Sequence, residues 1–169
     1  MHRHPFARLA WCLFGAACAI ALALFVVGPP HLAFVFASLG GSAVFLFGLT
    51  RAPAAQPRAL FGGHLLGALS GIAAFQILGA SLPAYACAVA GALALMLATR
   101  SVHPPAGANP LIMVYAHSHW SALLYPVLAG VAALAACAVV WSRLYPGLAR
   151  YPVSVMEPSP PSLNWGGWE

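Results

Sequence analysis

The placement of the charged residues constrains this chain more than any other feature of its sequence. Residues 9–50, 59–99 and 101–142 form three uncharged stretches of about 40 residues each. A helix that crosses the hydrocarbon core of a bilayer needs about 20 apolar residues. Each stretch therefore has the length of two crossings and a tight connection. We predict an all-α fold, a polytopic membrane helical bundle with about six crossings.

Two of these predicted crossings, the fourth and the fifth, are short or broken. In chain order the six comprise residues 9–28, 32–49, 60–79, 85–99, 105–116 and 122–141. All seven arginines lie outside them, in segments that alternate with uncharged connections. By the positive-inside rule, the arginine-bearing segments and both termini face the cytoplasm. The sequence thus predicts a multi-pass protein, in the inner membrane of a bacterium.

The composition excludes several classes of function. Charged residues make up 5% of the chain and hydrophobic residues 62%, whereas a soluble domain carries about 25% charged residues. No acidic residue precedes Glu157, so paired carboxylates are absent, and no metal motif or nucleophile–base pair is present. We therefore expect no enzyme activity, cofactor or metal site. The dispersed arginines favour contacts with lipid headgroups over nucleic acid.

The two ends of the chain have their own interpretations. Residues 1–28 could form a signal peptide, but their apolar run is longer than usual and residues 27–29 are a poor cleavage site. The tail, residues 146–169, contains five prolines together with Trp165 and Trp168. We predict a transmembrane domain over residues 1–145 and an irregular cytoplasmic tail after it.

Two segments of the chain echo each other. Residues 39–45 and 106–112 both read as glycine, small, polar, small and two apolar residues. Each belongs to the middle helix of a three-helix half, residues 9–79 or 85–141. An odd number of crossings inverts the second half relative to the first, so we predict a 3+3 inverted repeat. In that arrangement Ser42 and Asn109 are paired polar groups near the midplane.

The second echoing segment has the composition of a broken helix. Pro104, Pro105 and Gly107 interrupt a regular helix, and Pro105 suits the first position of a new half-helix. Such a start aims free N–H groups and a partial positive charge at an anion. Arg100 and His103 immediately precede it and are candidate ligands for the anion. The alternatives are a membrane-boundary charge for Arg100 and a structural hydrogen bond for His103.

The start of the third crossing carries a further group of candidate residues. Gln56, Arg58 and His64 are polar groups that could line a pore, although His64 could instead make a packing hydrogen bond. The glycines of the same helix form a G-x-x-x-G-x-x-x-G stripe, which lets another helix approach closely. The stripe consists of Gly63, Gly67 and Gly71. We expect a homo-oligomer, with this third helix in the interface.

Three ordered motifs resemble the HPP family of integral membrane proteins. Residues 99–108 include the His-Pro-Pro after which that family is named, and residues 39–47 and 55–66 match two further stretches. The resemblance covers roughly residues 10–145. It implies a compact helical membrane domain, usually described with four spans, and transport of nitrite or a similar small anion. Asn109 and Pro110 depart from the small or apolar residues of the family pattern, which bears on the substrate.

Two functions are compatible with these observations. The leading hypothesis is a transporter or channel for a small inorganic anion, with nitrite as the substrate that the resemblance implies. The alternative is a non-transporting membrane module that serves assembly or lipid interaction. It predicts that Ser42 and Asn109 pack against protein rather than line a cavity. The partners expected in either case are the lipid bilayer and further copies of the chain.

Overall fold

A computed structural model describes residues 5–28 and 36–162 of the chain. Several predicted features lie outside the described residues: Arg3, the connection at residues 29–31, the start of the second crossing at Leu32, and Trp165 and Trp168. The described residues form a bundle of six α-helices and contain no strand. The helices are α1 (Pro5–Val27), α2 (Ala37–Gly48), α3 (Pro57–Leu78), α4 (Leu82–Ala98), α5 (Asn109–Tyr115) and α6 (Ala129–Leu144).

Three of these helical segments are long and apolar enough to cross a membrane. They are α1, α3 and the segment Trp120–Leu144, which includes α6 and is kinked at Tyr125. The shorter α2 and α4 are also apolar. The prediction of an all-helical membrane bundle is therefore confirmed.

The fifth predicted crossing is the shortest element. A 3-10 turn over Pro104–Ala108 leads into the seven residues of α5. At about 2.0 Å per residue in the turn and 1.5 Å in the helix, the segment rises about 20 Å. That is less than the hydrocarbon core of about 30 Å, so this segment enters the bundle without spanning a membrane by itself.

Helix α3 organises one half of the bundle. It packs most extensively against α4 and α5. It begins at Pro57, where the missing N–H is harmless, and stops at Gly79, whose φ of +66° favours glycine. The other half is a core formed by α1, α2 and α6.

The described arginines lie at one end of the bundle, as the charge spacing predicted. Arg8, Arg58, Arg100 and Arg143 each donate a hydrogen bond to a backbone carbonyl of the tail. Arg51 lines a cleft together with residues 147–149 of the tail, and Arg150 is itself part of the tail. The tail therefore packs against the arginine-bearing end of the bundle.

Candidate functional site

A polar cluster is buried where α2, α3 and the segment before Pro104 meet. We call Ser42, His64 and His103 the Ser42 cluster; none of its side chains is more than 1% exposed. The hydroxyl oxygen of Ser42 lies 2.8 Å from Nε2 of His103 and 3.3 Å from Nε2 of His64. The two imidazole ring centres are 5.1 Å apart. Three separate parts of the chain thus bring their polar groups to one hydroxyl.

The backbone orients both histidine rings. Nδ1 of His64 lies 2.8 Å from the carbonyl oxygen of Leu60, and Nδ1 of His103 lies 2.6 Å from that of Ala54. A carbonyl only accepts hydrogen bonds, so both Nδ1 atoms carry a hydrogen. In a neutral imidazole the other nitrogen, Nε2, is then an acceptor. Both Nε2 atoms that face Ser42 are therefore acceptors when the rings are neutral.

The Ser42 cluster consequently has fewer hydrogen-bond donors than acceptors. The Ser42 hydroxyl also lies 2.8 Å from the carbonyl oxygen of Ser38, to which it donates. One hydroxyl hydrogen thus faces three acceptors: the Ser38 carbonyl and the two Nε2 atoms. A proton added to either ring would supply the missing donor. The cluster has no carboxylate to supply or hold that proton, since Glu157 is the only acidic residue in the part of the chain that the structure describes.

Asn109 connects α5 to the same cluster. Its side-chain amide donates a 3.0 Å hydrogen bond to the backbone carbonyl of His64. Ser42 and Asn109, which the sequence pairs by their positions in the two halves, thus both bond to His64 rather than to each other. The inverted repeat itself stays a prediction.

The cavity beside the cluster is small. It lies between His64, Asn109 and the side chains around them, and its volume is about 10 Å³. That is room for at most one water molecule. Ser42 and Asn109 are 0% and 2% exposed, so the cavity leaves no room for an anion beside them.

The glycine stripe of α3 packs against the segment that carries His103 and Asn109. A Cβ atom added to Gly63 would lie 2.8 Å from Cβ of His103, and one on Gly67 would lie 2.7 Å from the carbonyl oxygen of Ala106. One on Gly71 would lie 2.6 Å from the carbonyl oxygen of Pro110. The stripe is therefore filled within the chain. This close approach is the helix packing that the stripe predicted, and this face of α3 is unavailable to a second copy.

The prolines and Gly107 differ in their packing. Pro104 begins the 3-10 turn, and Pro105 packs against α2, where a Cβ on Gly41 would lie 2.9 Å from Cβ of Pro105. The start of the turn lies one residue earlier than predicted, and its α-helical continuation begins only at Asn109. Gly107 is exposed, and a Cβ there would meet open space.

The two arginines predicted to bind an anion are bonded elsewhere. Arg100 donates to the carbonyl oxygens of Pro160 and Pro161. Arg58 donates to the carbonyl oxygens of Thr99, at 2.8 Å, and Met156. Backbone carbonyls of the tail and of Thr99 bind the two guanidinium groups, and the anion-binding role of Arg100 stays a prediction.

Gln56 also binds the tail rather than lining a pore. Its side-chain oxygen accepts hydrogen bonds from the backbone N–H groups of Val153, at 2.9 Å, and Ser154. Its amide nitrogen donates to the carbonyl oxygens of Thr50 and Ala52. Gln56 is 0% exposed, so it forms a buried connection between the turn before α3 and the tail.

The sequence did not predict that the tail packs in a defined position on the bundle. Tyr151 is 1% exposed and belongs to the core of α1, α2 and α6. Further along, the backbone of Ser159 pairs with Arg100 and Val102. Most of these contacts use backbone atoms, which every residue type carries, so composition holds little signal for them. A lone tyrosine in a proline-rich segment was the one available hint.

The connection after α5 carries two histidines, His117 and His119. His117 stacks on Phe75 with ring centres 4.9 Å apart. Among residues 5–28 and 36–162, no group of three or more His, Cys, Asp or Glu side chains could hold a metal ion. His117 and His119 thus give no support to a metal role.

Comparison with known proteins identifies the family but no biochemical activity. The chain is 35% identical over 128 residues to one transmembrane protein of Dictyostelium discoideum, and 38% identical over 112 residues to another. These alignments cover 71% and 61% of this chain, but 41% and 39% of the relatives. The chain therefore spans about two fifths of the length of each of them. No solved structure matches it.

A family model for the HPP transmembrane region matches residues 1–152. The match contains the Ser42 cluster and the glycine stripe, and it reaches Tyr151 in the tail. The chain therefore belongs to the HPP family of transmembrane proteins.

Proposed function

We propose that this chain carries a small inorganic anion across the membrane, with nitrite as the first candidate. The observation that carries the proposal is the Ser42 cluster: one hydroxyl and two imidazoles from three parts of the chain, buried with no carboxylate beside them. Hydroxyl and imidazole N–H groups can replace the hydration of an anion. A cation would find no negative group there. The Ser42 hydroxyl lies 2.8 Å from Nε2 of His103, the spacing of a nucleophile and its base, but it donates to the Ser38 carbonyl and is 0% exposed.

The hydrogen count of the cluster suggests how an anion binds. With neutral rings, Nε2 of His64 and Nε2 of His103 present lone pairs to Ser42, and lone pairs repel an anion. A proton that enters with the anion gives one Nε2 atom a hydrogen and a positive charge. The anion then accepts hydrogen bonds from that N–H and from the Ser42 hydroxyl. We therefore propose that nitrite moves together with a proton.

Passage requires the closed structure to open. The segment best suited to move is Pro104–Ala108, because its 3-10 turn holds fewer helical hydrogen bonds than α3 or α4 and lies next to the cluster. Irregular backbone at membrane depth is tolerated where protein or a water-filled cavity surrounds it. Opening there would expose Ser42 and His103 together.

Nitrite flux into proteoliposomes tests the proposal. Charged hydrogen bonds contribute about 1.5–3 kcal/mol, so Ser42→Ala should weaken nitrite binding by roughly 10- to 100-fold. The matched control is Ser70→Ala, which removes a buried hydroxyl on α3 that donates to the Ala88 carbonyl outside the cluster. Flux in the control should equal wild type. Equal flux in Ser42→Ala and wild type would remove the cluster from the mechanism.

An acid-inside or acid-outside gradient tests the role of the proton. Wild-type nitrite flux should rise in the direction of the proton gradient, and His103→Gln should lose this response. Empty liposomes under the same gradient measure the passage of uncharged nitrous acid through lipid, which must be subtracted. Flux that is insensitive to the gradient after this subtraction would rule out coupling.

A second candidate is a membrane module that does not transport. The small cavity favours it, since each side chain of the Ser42 cluster already bonds within the protein. Folded protein that gives no flux above empty liposomes for nitrite, nitrate or chloride would support this candidate and sink the leading one.

We also propose an orientation and an assembly. The arginine-bearing end faces the cytoplasm of a bacterium by the positive-inside rule, and the chain forms a homo-oligomer through a surface other than the glycine stripe. A cysteine in place of exposed Arg150 should react with an impermeant thiol reagent only after the cytoplasmic side is opened. Cross-linking in native membranes measures the number of copies.

A further inference from the structure

A cleft at the arginine-bearing end is separate from the Ser42 cluster. It lies between α1, the end of α2, α6 and the tail, and its volume is about 580 Å³. Arg8 and Arg51 both line it. We call it the arginine cleft. No acidic residue is among the residues that line it.

The two guanidinium groups of this cleft have hydrogen-bond donors to spare. Arg51 is exposed and has no hydrogen-bond or ion-pair partner among the described residues. Arg8 donates one hydrogen bond, of 3.2 Å, to the carbonyl oxygen of Gly147. A guanidinium carries five N–H donors. The cleft therefore offers two fixed positive charges with most of their donors unused, which suits a phosphate group.

The neighbouring hydroxyls are already occupied. The Thr50 hydroxyl donates to the carbonyl oxygen of Leu46 at 2.7 Å. The Ser142 hydroxyl donates to the Val139 carbonyl and accepts from the Tyr151 backbone N–H. Recognition in the arginine cleft thus rests on charge rather than on neutral donors.

An apolar groove leads away from the cleft along α1 and α2. Its volume is about 650 Å³, and almost all of its lining is apolar. Four residues line both the groove and the cleft: Leu9, Cys12, Phe47 and Gly48. The groove extends from Leu9 to Leu24 of α1, about 22 Å at 1.5 Å per residue. That exceeds half of a hydrocarbon core of about 30 Å.

Small residues make the groove deep enough for a chain. Ala16, Ala17 and Ala21 line it from α1, and Gly40 lines it from α2. A Cβ atom added to Gly40 would meet nothing within 4 Å. The space is therefore open and apolar, and it ends at two cations.

We propose that the arginine cleft and the apolar groove together bind one anionic phospholipid. The phosphate lies between Arg8 and Arg51, and one acyl chain lies in the groove between α1 and α2. The continuity of the two spaces distinguishes this lipid from free phosphate, which would occupy the cleft alone. The charge of the cleft distinguishes it from a zwitterionic lipid, whose headgroup also brings a cation.

Lipid retention by the purified full chain tests the proposal. The protein in detergent is incubated with phosphatidylglycerol or with phosphatidylcholine of the same chain length, and bound lipid is counted by native mass spectrometry. Each arginine near anionic lipid contributes about 1 kcal/mol. Replacing both with glutamine should therefore weaken phosphatidylglycerol binding by about 30-fold. The matched control is Arg150→Gln, which removes an exposed arginine that does not line the cleft and should leave binding unchanged.

A second variant separates the headgroup from the acyl chain. Gly40→Leu fills the groove and leaves both arginines in place, so it should lose phosphatidylglycerol while its melting temperature without lipid stays close to wild type. Equal retention of the two lipids would overturn the proposal. So would full retention in Arg8→Gln/Arg51→Gln. A different result is that inorganic phosphate raises the melting temperature of Gly40→Leu as much as phosphatidylglycerol raises that of wild type. That result would assign the site to a free anion. None of these measurements depends on transport.

Discussion

A close helix contact in the bundle, between α3 and α5, gives a prediction with a calculable size. A Cβ atom at Gly71 would lie 2.6 Å from the carbonyl oxygen and 2.7 Å from Cα of Pro110, and 2.7 Å from Cβ of Met113. Ordinary contacts of a Cβ begin near 3.4 Å. The atoms in the way are backbone and Cβ atoms, which no side-chain rotation can remove. In Gly71→Ala, α5 must therefore move away from α3 by several tenths of an ångström.

The expected cost follows from comparison with an open glycine. Overpacking a close contact costs about 1–3 kcal/mol. Alanine also favours a helix over glycine by about 1 kcal/mol, and that gain is shared by Gly40→Ala, where the new methyl meets open space. The difference in unfolding free energy between the two variants is thus about 1–3 kcal/mol. For a chain of this length it corresponds to roughly 2–12 °C in melting temperature.

Thermal unfolding in one detergent, followed by circular dichroism, measures this difference. Gly71→Ala should melt below Gly40→Ala, and Gly40→Ala should melt at or slightly above wild type. Equal melting temperatures for the two variants would refute the close approach of α3 and α5. If only Gly40→Ala melts below wild type, the space beside α2 at Gly40 is not open.

Three further predictions concern two residues that hold the tail, Tyr151 and Gln56, and the Asn109 hydrogen bond that joins α5 to α3. Tyr151→Phe removes a buried hydroxyl without a hydrogen-bond partner in the described chain, so thermal unfolding should show equal or higher stability. Burial also raises the pKa of Tyr151; the unfolded chain loses this proton first, so wild-type stability should fall above about pH 10 more steeply than that of the variant. Gln56→Ala should release the tail, so trypsin should cleave after Arg150 several-fold faster than in wild type; an unchanged rate would contradict the tether. Asn109→Ala should cost about 1 kcal/mol in thermal unfolding, because it removes the hydrogen bond to the His64 carbonyl; no change would contradict it.

The helical segments followed from local properties of the sequence. The uncharged stretches between arginines marked the crossings because each residue prefers lipid or water independently of distant residues. Pro104 and Pro105 marked the break before α5 for an equally local reason, since proline lacks the N–H that a helix interior needs. The glycines at Gly63, Gly67 and Gly71 share one face because helical periodicity brings residues four apart together.

The partners of the site residues did not follow from the sequence. His103, His64 and Ser42 were each visible as polar residues in apolar surroundings, but nothing local joined a residue of α2 to one that lies 61 positions later. Arg58 and Arg100 suited an anion by chemistry alone. The structure instead shows them bonded to backbone carbonyls, an acceptor that any residue supplies and that leaves no trace in composition.

The sequence by itself determined that this chain is a helical membrane protein, which segments are helical, and that its charges lie at one end. Those properties arise from transfer free energies and backbone preferences that act over a few residues. Only the tertiary structure decided that Ser42 joins two histidines, that the tail binds Gln56 and four of the arginines, and that a cationic cleft continues into an apolar groove. These contacts join distant residues, and hydrogen-bond and steric complementarity in three dimensions selects them.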